Sequence, residues 1–335
     1  MTRRPRLSDI ADRLGVSTAT VSRALSGQGY VRDDLAQRIR ACAAELGYGP
    51  ARSLDGQRVI LAASREAMVD FERNQFTLHV LEGLSARAER LGVRIENRTL
   101  VSPAEEAALR AEAGAEGLAG VLMLTVDDDL LELARALPVP VVLINGDDPD
   151  MGLSSVAPCN RSAAALATQH LRGLGHRRIA FLTRAGRRTI LRRQEGWRDA
   201  MGADHDPALV IGVDDWRADL AEAAVTEWLA QGGQATAILA TGDVLAAGAI
   251  MALRRAGIVV PRDMSVMGID GLPQSRLVDP PLSSVAIPMR EVGAAALDLL
   301  HQTLQAAEAG TSIPARRVEL ACALVERAST AAVGQ

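Results

Sequence analysis

The chain has 335 residues, of which 48% are hydrophobic, 23% charged and 2% aromatic. This length exceeds what one hydrophobic core usually serves, and the apolar content excludes a disordered chain, so we expect two or three folded domains. No run of 18 apolar residues occurs, and the basic start leads into the polar pair Ser8 and Asp9. The sequence therefore predicts no membrane span, no signal peptide and a cytoplasmic location. Three scattered cysteines without CxxC spacing (Cys42, Cys159, Cys322) favour a reducing compartment and no structural zinc.

The net charge of −4 conceals an uneven distribution. Residues 1–58 carry ten Arg against six Asp and Glu, a balance of +4, so the remaining chain carries −8. A basic head on an acidic body is typical of a modular DNA-binding protein. An unevenly charged, solvated surface would give the same numbers, so the charge split alone leaves both interpretations open.

Three short helices are predicted in the head. The first covers residues 7–14 and is followed by Gly15, which can take the positive φ of a sharp turn. The second covers residues 18–25 and begins after Ser17, a candidate N-cap. A third amphipathic helix over residues 33–46 would complete a small core. This arrangement is a helix-turn-helix.

The second helix has the composition of a DNA-reading helix. Val21 and Leu25 are spaced to face inward, which leaves a small polar face that ends in Arg23. Small residues let the backbone approach base edges, and an arginine can donate two parallel hydrogen bonds to a guanine. Hydroxyl side chains can bind phosphates and fix the register. The candidate DNA-binding residues of this helix are Ser17, Thr18, Ala19, Thr20, Ser22 and Arg23.

From residue 59 onward, short apolar runs alternate with helical segments. The predicted strands are 59–63, 93–98, 120–124, 139–145, 178–182, 237–240 and 265–268, and the predicted helices are 76–91, 104–113, 130–136, 162–174, 190–201, 219–231 and 244–256. Strands that are apolar on both faces suit parallel sheets covered by helices. The predicted fold class is therefore α/β: an all-α headpiece, then a doubly wound parallel-sheet core in two lobes, with a ligand expected between them.

Several segments resemble LacI/GalR-type repressors. In the head these are LSDIA at 7–11, GVSTATVSRALSG at 15–27 and LGYGP at 46–50; in the body they are LRGLGHRRIAF at 171–181, RQEGW at 193–197, TGDVLAAG at 241–248, GID at 268–270 and PPLSSV at 280–285. The resemblance extends from residue 7 to about residue 330. It implies that Thr18, Ala19 and Arg23 read bases, and that the body resembles periplasmic sugar-binding proteins.

The resemblance also implies a division into domains. The headpiece would span 1–50, a hinge 51–58, the first lobe 59–157 with 286–318, the second lobe 158–285 with 319–330, and a tail 331–335. In the family, a hinge alanine and leucine enter the minor groove, and the leucine wedges between bases. Ala51 and Leu54 match these positions, but this hinge is shorter than usual by about three residues, nearly one helical turn. The alternative is that Leu54 is a linker residue that packs on the core.

A small effector would bind in the cleft between the lobes. Arg193 and Asp270 match residues that hydrogen-bond the effector, Trp216 matches an aromatic that can lie against a sugar ring, and Gly242 replaces a usual asparagine. The implied effector residues are Phe76, Asn145, Arg193, Trp216, Asp270 and Met289. Such a cleft suits a polyhydroxyl ligand, and an arginine could equally bind the carboxylate of a sugar acid. A loop cap, simple packing and a surface ion pair are the alternatives for Asp270, Trp216 and Arg193.

No Walker motif, no GxSxG, no GxGxxG after a strand and no metal-ligand spacing of His and Cys occurs, so we expect no enzyme activity, no cofactor and no metal. The sequence predicts a sequence-specific transcriptional regulator that acts as a repressor of a metabolic operon. It would bind a pseudo-palindromic double-stranded DNA operator as a homodimer, under control of a sugar or sugar acid. The alternative is a solute-binding sensor whose head contacts proteins.

Overall fold

The computed structural model describes residues 6–26, 30–46, 54–64, 67, 74–115, 117–125, 128–184 and 186–334. It confirms the α/β fold class, because a helical headpiece is followed by two lobes that are each built on a mostly parallel sheet. Within these residues, no helix is both long enough and apolar enough to cross a bilayer.

The headpiece contains the three predicted helices: α1 (Leu7–Leu14), α2 (Thr18–Ser26) and α3 (Asp33–Glu45). Each helix contributes one fully buried aliphatic side chain to a common core, namely Ile10, Val21 and Ile39. Gly15 ends α1 with a φ of 65°, a left-handed conformation that glycine adopts without steric cost. The turn therefore places α2 across α1 with its polar face outward.

The body continues in chain order with β1 (Arg58–Ser64), α4 (Asn74–Leu91), β2 (Arg94–Leu100), α5 (Pro103–Ala113), β3 (Leu118–Leu124), α6 (Asp128–Ala136), β4 (Val141–Ile144), β5 (Ser154–Pro158), α7 (Asn160–Gly173), β6 (Ile179–Thr183), α8 (Arg188–Met201), β7 (Val210–Gly212), α9 (Ala218–Ala230), β8 (Ala237–Ala240), α10 (Asp243–Arg255), β9 (Ser265–Asp270), β10 (Ser283–Ala286), α11 (Met289–Glu308), β11 (Arg317–Leu320) and β12 (Ala323–Val325). The strands and helices predicted from the alternation all occur, with ends that differ by a few residues. The strands β5, β7, β10, β11 and β12 and the helix α11 were not predicted.

Both sheets are doubly wound. The first has the order β11-β5-β4-β3-β1-β2 and the second the order β12-β10-β9-β8-β6-β7. All neighbouring strands in the described residues pair in parallel except β10 and β12. Along β1, Leu61 packs against α4 and α11 on one face, whereas Ile60 packs with α5 and α6 on the other. Because both faces are covered, central strands such as β1, β3 and β4 are continuous apolar runs, whereas the edge strand β2 carries polar side chains.

The described chain passes between the lobes three times. It crosses from β5 to α7, from β10 to α11, and from β11 to β12. The third crossing follows Leu320 rather than residue 318, because β11 pairs with β5 of the first sheet as far as Leu320. The three crossings lie side by side, since β5 and β11 are neighbours in one sheet and β10 and β12 in the other.

Candidate DNA-binding face and interlobe cleft

The structure brings the candidate DNA-binding residues of the head onto one face. Ser17, Thr18, Ala19, Ser22 and Arg23 are exposed, and Thr20 is half-buried. Ser17 caps α2, because its Oγ accepts a 3.1 Å hydrogen bond from the Thr20 backbone N–H. The Nε of Arg23 donates to the backbone oxygen of Ala19 at 3.2 Å, which holds the guanidinium along the helix. The face is thus small, polar and positively charged at its end.

The hinge prediction is corrected at Leu54. Its side chain is 2% exposed and packs in the core of the first lobe, under the sheet face that α4 and α11 cover. A turn fixes this position, because the Gln57 N–H donates to the Leu54 oxygen at 2.9 Å and the Gly56 N–H donates to the Gly92 oxygen at 2.8 Å. In this conformation Leu54 is a core residue and is not available to a minor groove. Ala51 lies outside the described residues.

A cleft of about 650 Å³ lies between the two lobes, at the carboxyl ends of strands from both sheets. Phe76, Asn145, Arg193, Trp216 and Asp270 line it together. Asn145 follows β4 of the first lobe, and Asp270 ends β9 of the second lobe, so the strand ends of the two sheets face each other across the space.

Met289 does not belong to the cleft wall, contrary to expectation. It begins α11, is 5% exposed and packs in the core of the first lobe with Val292. At the start of α11, Met289 and Val292 face the core at helical spacing, whereas Arg290 and Glu291 are exposed. The apolar wall of the cleft is supplied instead by Phe76, Ile190 and Leu272.

Arg193 and Asp270 form the polar centre of the second lobe's cleft wall. Arg193 is 4% exposed. Its Nε donates to Oδ1 of Asn160 at 2.8 Å, and its Nη1 donates to the Thr241 backbone oxygen. Both of its terminal nitrogens lie 3.4 Å from Oδ1 of Asp270. Burial raises the pKa of Asp270 to about 7, although Arg193 opposes the rise, and the neighbouring Asp243 adds to it. Asp270 also has a φ of 129°, a strained conformation of the kind found where a side chain is held for function.

Trp216 occupies the space beside Gly242. A Cβ added to Gly242 would lie 2.9 Å from Cζ3 of Trp216 and 3.3 Å from Oδ2 of Asp270. The glycine therefore allows the indole to lie against the backbone at the start of α10, where a longer side chain would stand in its place. Two polar atoms of cleft residues, Nε1 of Trp216 and Oδ1 of Asn145, are buried without a hydrogen-bond partner among the described residues.

An ion pair connects the lobes beside the cleft. Oδ2 of Asp147, in the loop after β4 of the first lobe, accepts a 2.8 Å hydrogen bond from Arg192 of α8 in the second lobe. Arg317 of β11 donates to the same oxygen. Because Arg192 precedes Arg193 in α8, the contact between the lobes and the polar centre of the cleft lie on one helix.

Comparison with known proteins agrees with both parts of the structure. Residues 6–51 match the family model of bacterial regulatory proteins of the lacI family, and residues 168–330 match a periplasmic binding protein-like domain. The HTH-type transcriptional regulator GntR of Pseudomonas aeruginosa is 30% identical over 98% of this chain and 96% of its own length. The chain belongs to the LacI family. It is therefore a DNA-binding transcriptional regulator, a family whose members are not enzymes.

Two solved structures resemble this LacI-family regulator over nearly the whole chain. A complex of the transcriptional regulator CelR with cellobiose is 28% identical, has a TM-score of 0.72, and aligns with 97% of this chain and all of its own. The lac repressor dimer bound to operator and the anti-inducer ONPF is 26% identical, has a TM-score of 0.69, and aligns with 98% of this chain and all of its own. The likeness thus covers headpiece and body together.

Sequence reasoning missed several cleft residues of this regulator. Arg184 and Arg187 line the cleft from the loop between β6 and α8, and Gln75 and Thr125 line it from the first lobe. The guanidinium carbon of Arg187 lies 5.9 Å from the centre of the Trp216 ring, within the range of a cation–π contact. A signal for the arginines was present, because this loop follows the carboxyl end of a strand, where ligands bind in α/β folds.

Proposed function

We propose that the protein is a sequence-specific repressor of a metabolic operon that binds a pseudo-palindromic operator as a homodimer. The observation that carries the proposal is the exposed face of α2, where small polar residues end in Arg23 on a separately packed three-helix head. The direct candidates for base contacts are Thr18, Ala19 and Arg23, and Ser17, Thr20 and Ser22 would contact phosphates. A regulator of this kind acts where the chromosome is, in the cytoplasm.

One headpiece can contact only a half-site, so a two-fold dimer is needed to read an inverted repeat with half-sites about one helical turn apart. The operator-bound dimer among the similar structures supports this assembly. We place the effector, a sugar or sugar acid, in the interlobe cleft against Phe76, Asn145, Arg193, Trp216 and Asp270. The cellobiose complex among the similar structures supports a sugar-like ligand.

The effector would act by changing the separation of the two lobes. A ligand that contacts both walls of the cleft favours one separation of the lobes, and the Asp147–Arg192 ion pair is positioned to change with that separation. A coupling of about 1–3 kcal/mol would alter operator affinity about 5- to 150-fold. Movement of the first lobe would reach the head through Leu54, which anchors the hinge in that lobe's core.

The test is footprinting of intergenic DNA upstream of the protein's own gene, with Arg23→Ala and Arg40→Ala as a matched pair. Arg40 is an exposed arginine of a different helix, α3, so both variants lose one positive charge of the head. Arg23→Ala should weaken operator binding by about 1–3 kcal/mol and relax preference at one base pair. Arg40→Ala should affect operator and random DNA alike. The absence of any protected inverted repeat, or equal losses for Arg23→Ala on both DNAs, would refute the proposal.

A further inference from the structure

Basic side chains outnumber acidic ones on the wall of the cleft. Among the described residues that line it, Arg184, Arg187 and Arg193 are basic and Asp270 alone is acidic. The carboxyl group of Asp270 is offset by Arg193, and its burial raises its pKa to about 7, so it supplies less than a full negative charge near neutral pH. Basic side chains therefore outnumber acidic ones among the described residues of the cleft wall, which favours an anionic ligand.

Arg193 is not the group that would bind a ligand's anion. Its guanidinium nitrogens are directed at Asn160, Thr241 and Asp270, and its side chain is almost fully buried. Only one N–H of Nη2 remains, so Arg193 cannot offer a second carboxylate two parallel donors without displacing Asp270. Arg193 thus positions Asp270, and an anionic group needs a different donor.

Arg184 has the required geometry. It follows the last residue of β6 and reaches the cleft with its Nε directed at the Asp214 backbone oxygen, 3.4 Å away. Its two terminal nitrogens have no hydrogen-bond or ion-pair partner among the described residues. A pair of parallel N–H donors matches the oxygens of a carboxylate or a phosphate. A Cβ added to Gly186 would lie 3.0 Å from Nη1 of Arg184. The glycine therefore leaves the terminal nitrogens of Arg184 unobstructed on this side.

The remaining polar atoms of the wall suit hydroxyl groups. Oδ1 of Asn145 lacks a donor among the described residues, and a ligand hydroxyl can supply one. Nε1 of Trp216 likewise lacks an acceptor, and an oxygen of the ligand can provide it. Since unpaired buried polar groups cost free energy, a ligand that satisfies both is favoured over one that satisfies neither.

We propose that the cleft selects an anionic polyhydroxyl compound, a sugar acid or a sugar phosphate, whose charged group is bound by Arg184 and whose hydroxyl groups meet Asn145 and Asp270. This inference rests on the proposed role of the cleft as the effector site, and it narrows the effector class. Selectivity comes from the guanidinium of Arg184, because a neutral sugar of the same size offers it no negative charge to pair with.

The test is isothermal titration calorimetry on the full-length protein with matched ligands: neutral hexoses, the corresponding uronic and aldonic acids, and the hexose 6-phosphates. Arg184→Gln removes the positive charge, and Arg184→Lys retains the charge without the pair of parallel N–H donors. Arg198→Gln is the control, because Arg198 is an exposed arginine of α8 in the same lobe and does not line the cleft. The acids and the phosphates form separate arms, which distinguish a carboxylate site from a phosphate site.

At least one anionic ligand should bind about tenfold or more tightly than its neutral parent. Arg184→Gln should abolish that preference, Arg184→Lys should restore part of it, and Arg198→Gln should preserve it. Equal binding of neutral and anionic ligands, no binding by any anionic ligand, or an unchanged preference in Arg184→Gln would overturn the inference. Footprinting is run in parallel with and without each ligand. If no inverted repeat is protected under any of these conditions, the proposed function fails; if one is protected but no anion preference is found, this inference alone is overturned.

Discussion

The burial of Leu54 predicts that this hinge residue stabilises the first lobe. Leu54→Ala would remove methyl and methylene groups from a site that is 2% exposed, at about 0.8 kcal/mol for each carbon, and would leave a cavity. The site cannot collapse freely, because hydrogen bonds at Gly56 and Gln57 hold its turn against the end of α4. We therefore expect a loss of about 3 kcal/mol in the free energy of unfolding of this lobe.

Differential scanning calorimetry is the appropriate assay. The three tryptophans (Trp197, Trp216 and Trp228) all lie in the second lobe, so fluorescence would follow the wrong part of the molecule. A loss of 3 kcal/mol should lower the melting temperature of the first lobe by about 6–12 °C. The control is Leu78→Ala, the same change on α4 at a position 45% exposed, which should cost less than about 0.5 kcal/mol.

A melting temperature unchanged within about 1 °C for Leu54→Ala would refute this reasoning. If the same variant lost DNA bending while keeping its stability, Leu54 would be a minor-groove residue after all. A loss of stability in Leu78→Ala equal to that in Leu54→Ala would also count against the assignment, because burial would then not account for the effect.

Three further predictions concern the cleft. Gly242→Ala should weaken binding of the effector about fivefold or more in calorimetry, because the added Cβ displaces the Trp216 indole. The same substitution should change the unfolding free energy by less than about 1 kcal/mol, because the φ of −160° at this position suits alanine. The pKa of Asp270 is raised to about 7 from an ordinary value near 3.8, so its contribution to stability is present at acidic pH and is lost as the pH rises through 7. In chemical denaturation from pH 5 to 8, the unfolding free energy should decline by at most about 1.4 kcal/mol per pH unit relative to that of Asp270→Asn. Parallel pH dependences of the two proteins would contradict this prediction. Finally, a double-mutant cycle of Asp147→Asn and Arg192→Gln should give a coupling of about 1–2 kcal/mol in the unfolding free energy. If the two losses of stability are simply additive, the ion pair between the lobes does not stabilise the protein.

The sequence by itself determined the headpiece, because everything decisive there is local. The helix ends follow from Gly15 and Ser17, and the inward position of Val21 leaves Arg23 on the outer face at helical spacing. The alternation of strands and helices in the body was equally predictable, since a covered parallel strand must be apolar on both faces. Motif positions fixed by a strand end, such as Asp270, could also be placed at the cleft.

Only the tertiary structure decided which side chains share the cleft. Leu54 and Met289 are apolar residues near element ends, and the sequence does not show whether such a residue faces a core or a ligand. The fit of Trp216 over Gly242 joins residues from separate segments. Asp147 and Arg192 meet although they belong to different lobes. Contacts of this kind depend on the angle between packed layers and on the separation of the lobes, and no local pattern in the chain encodes either quantity.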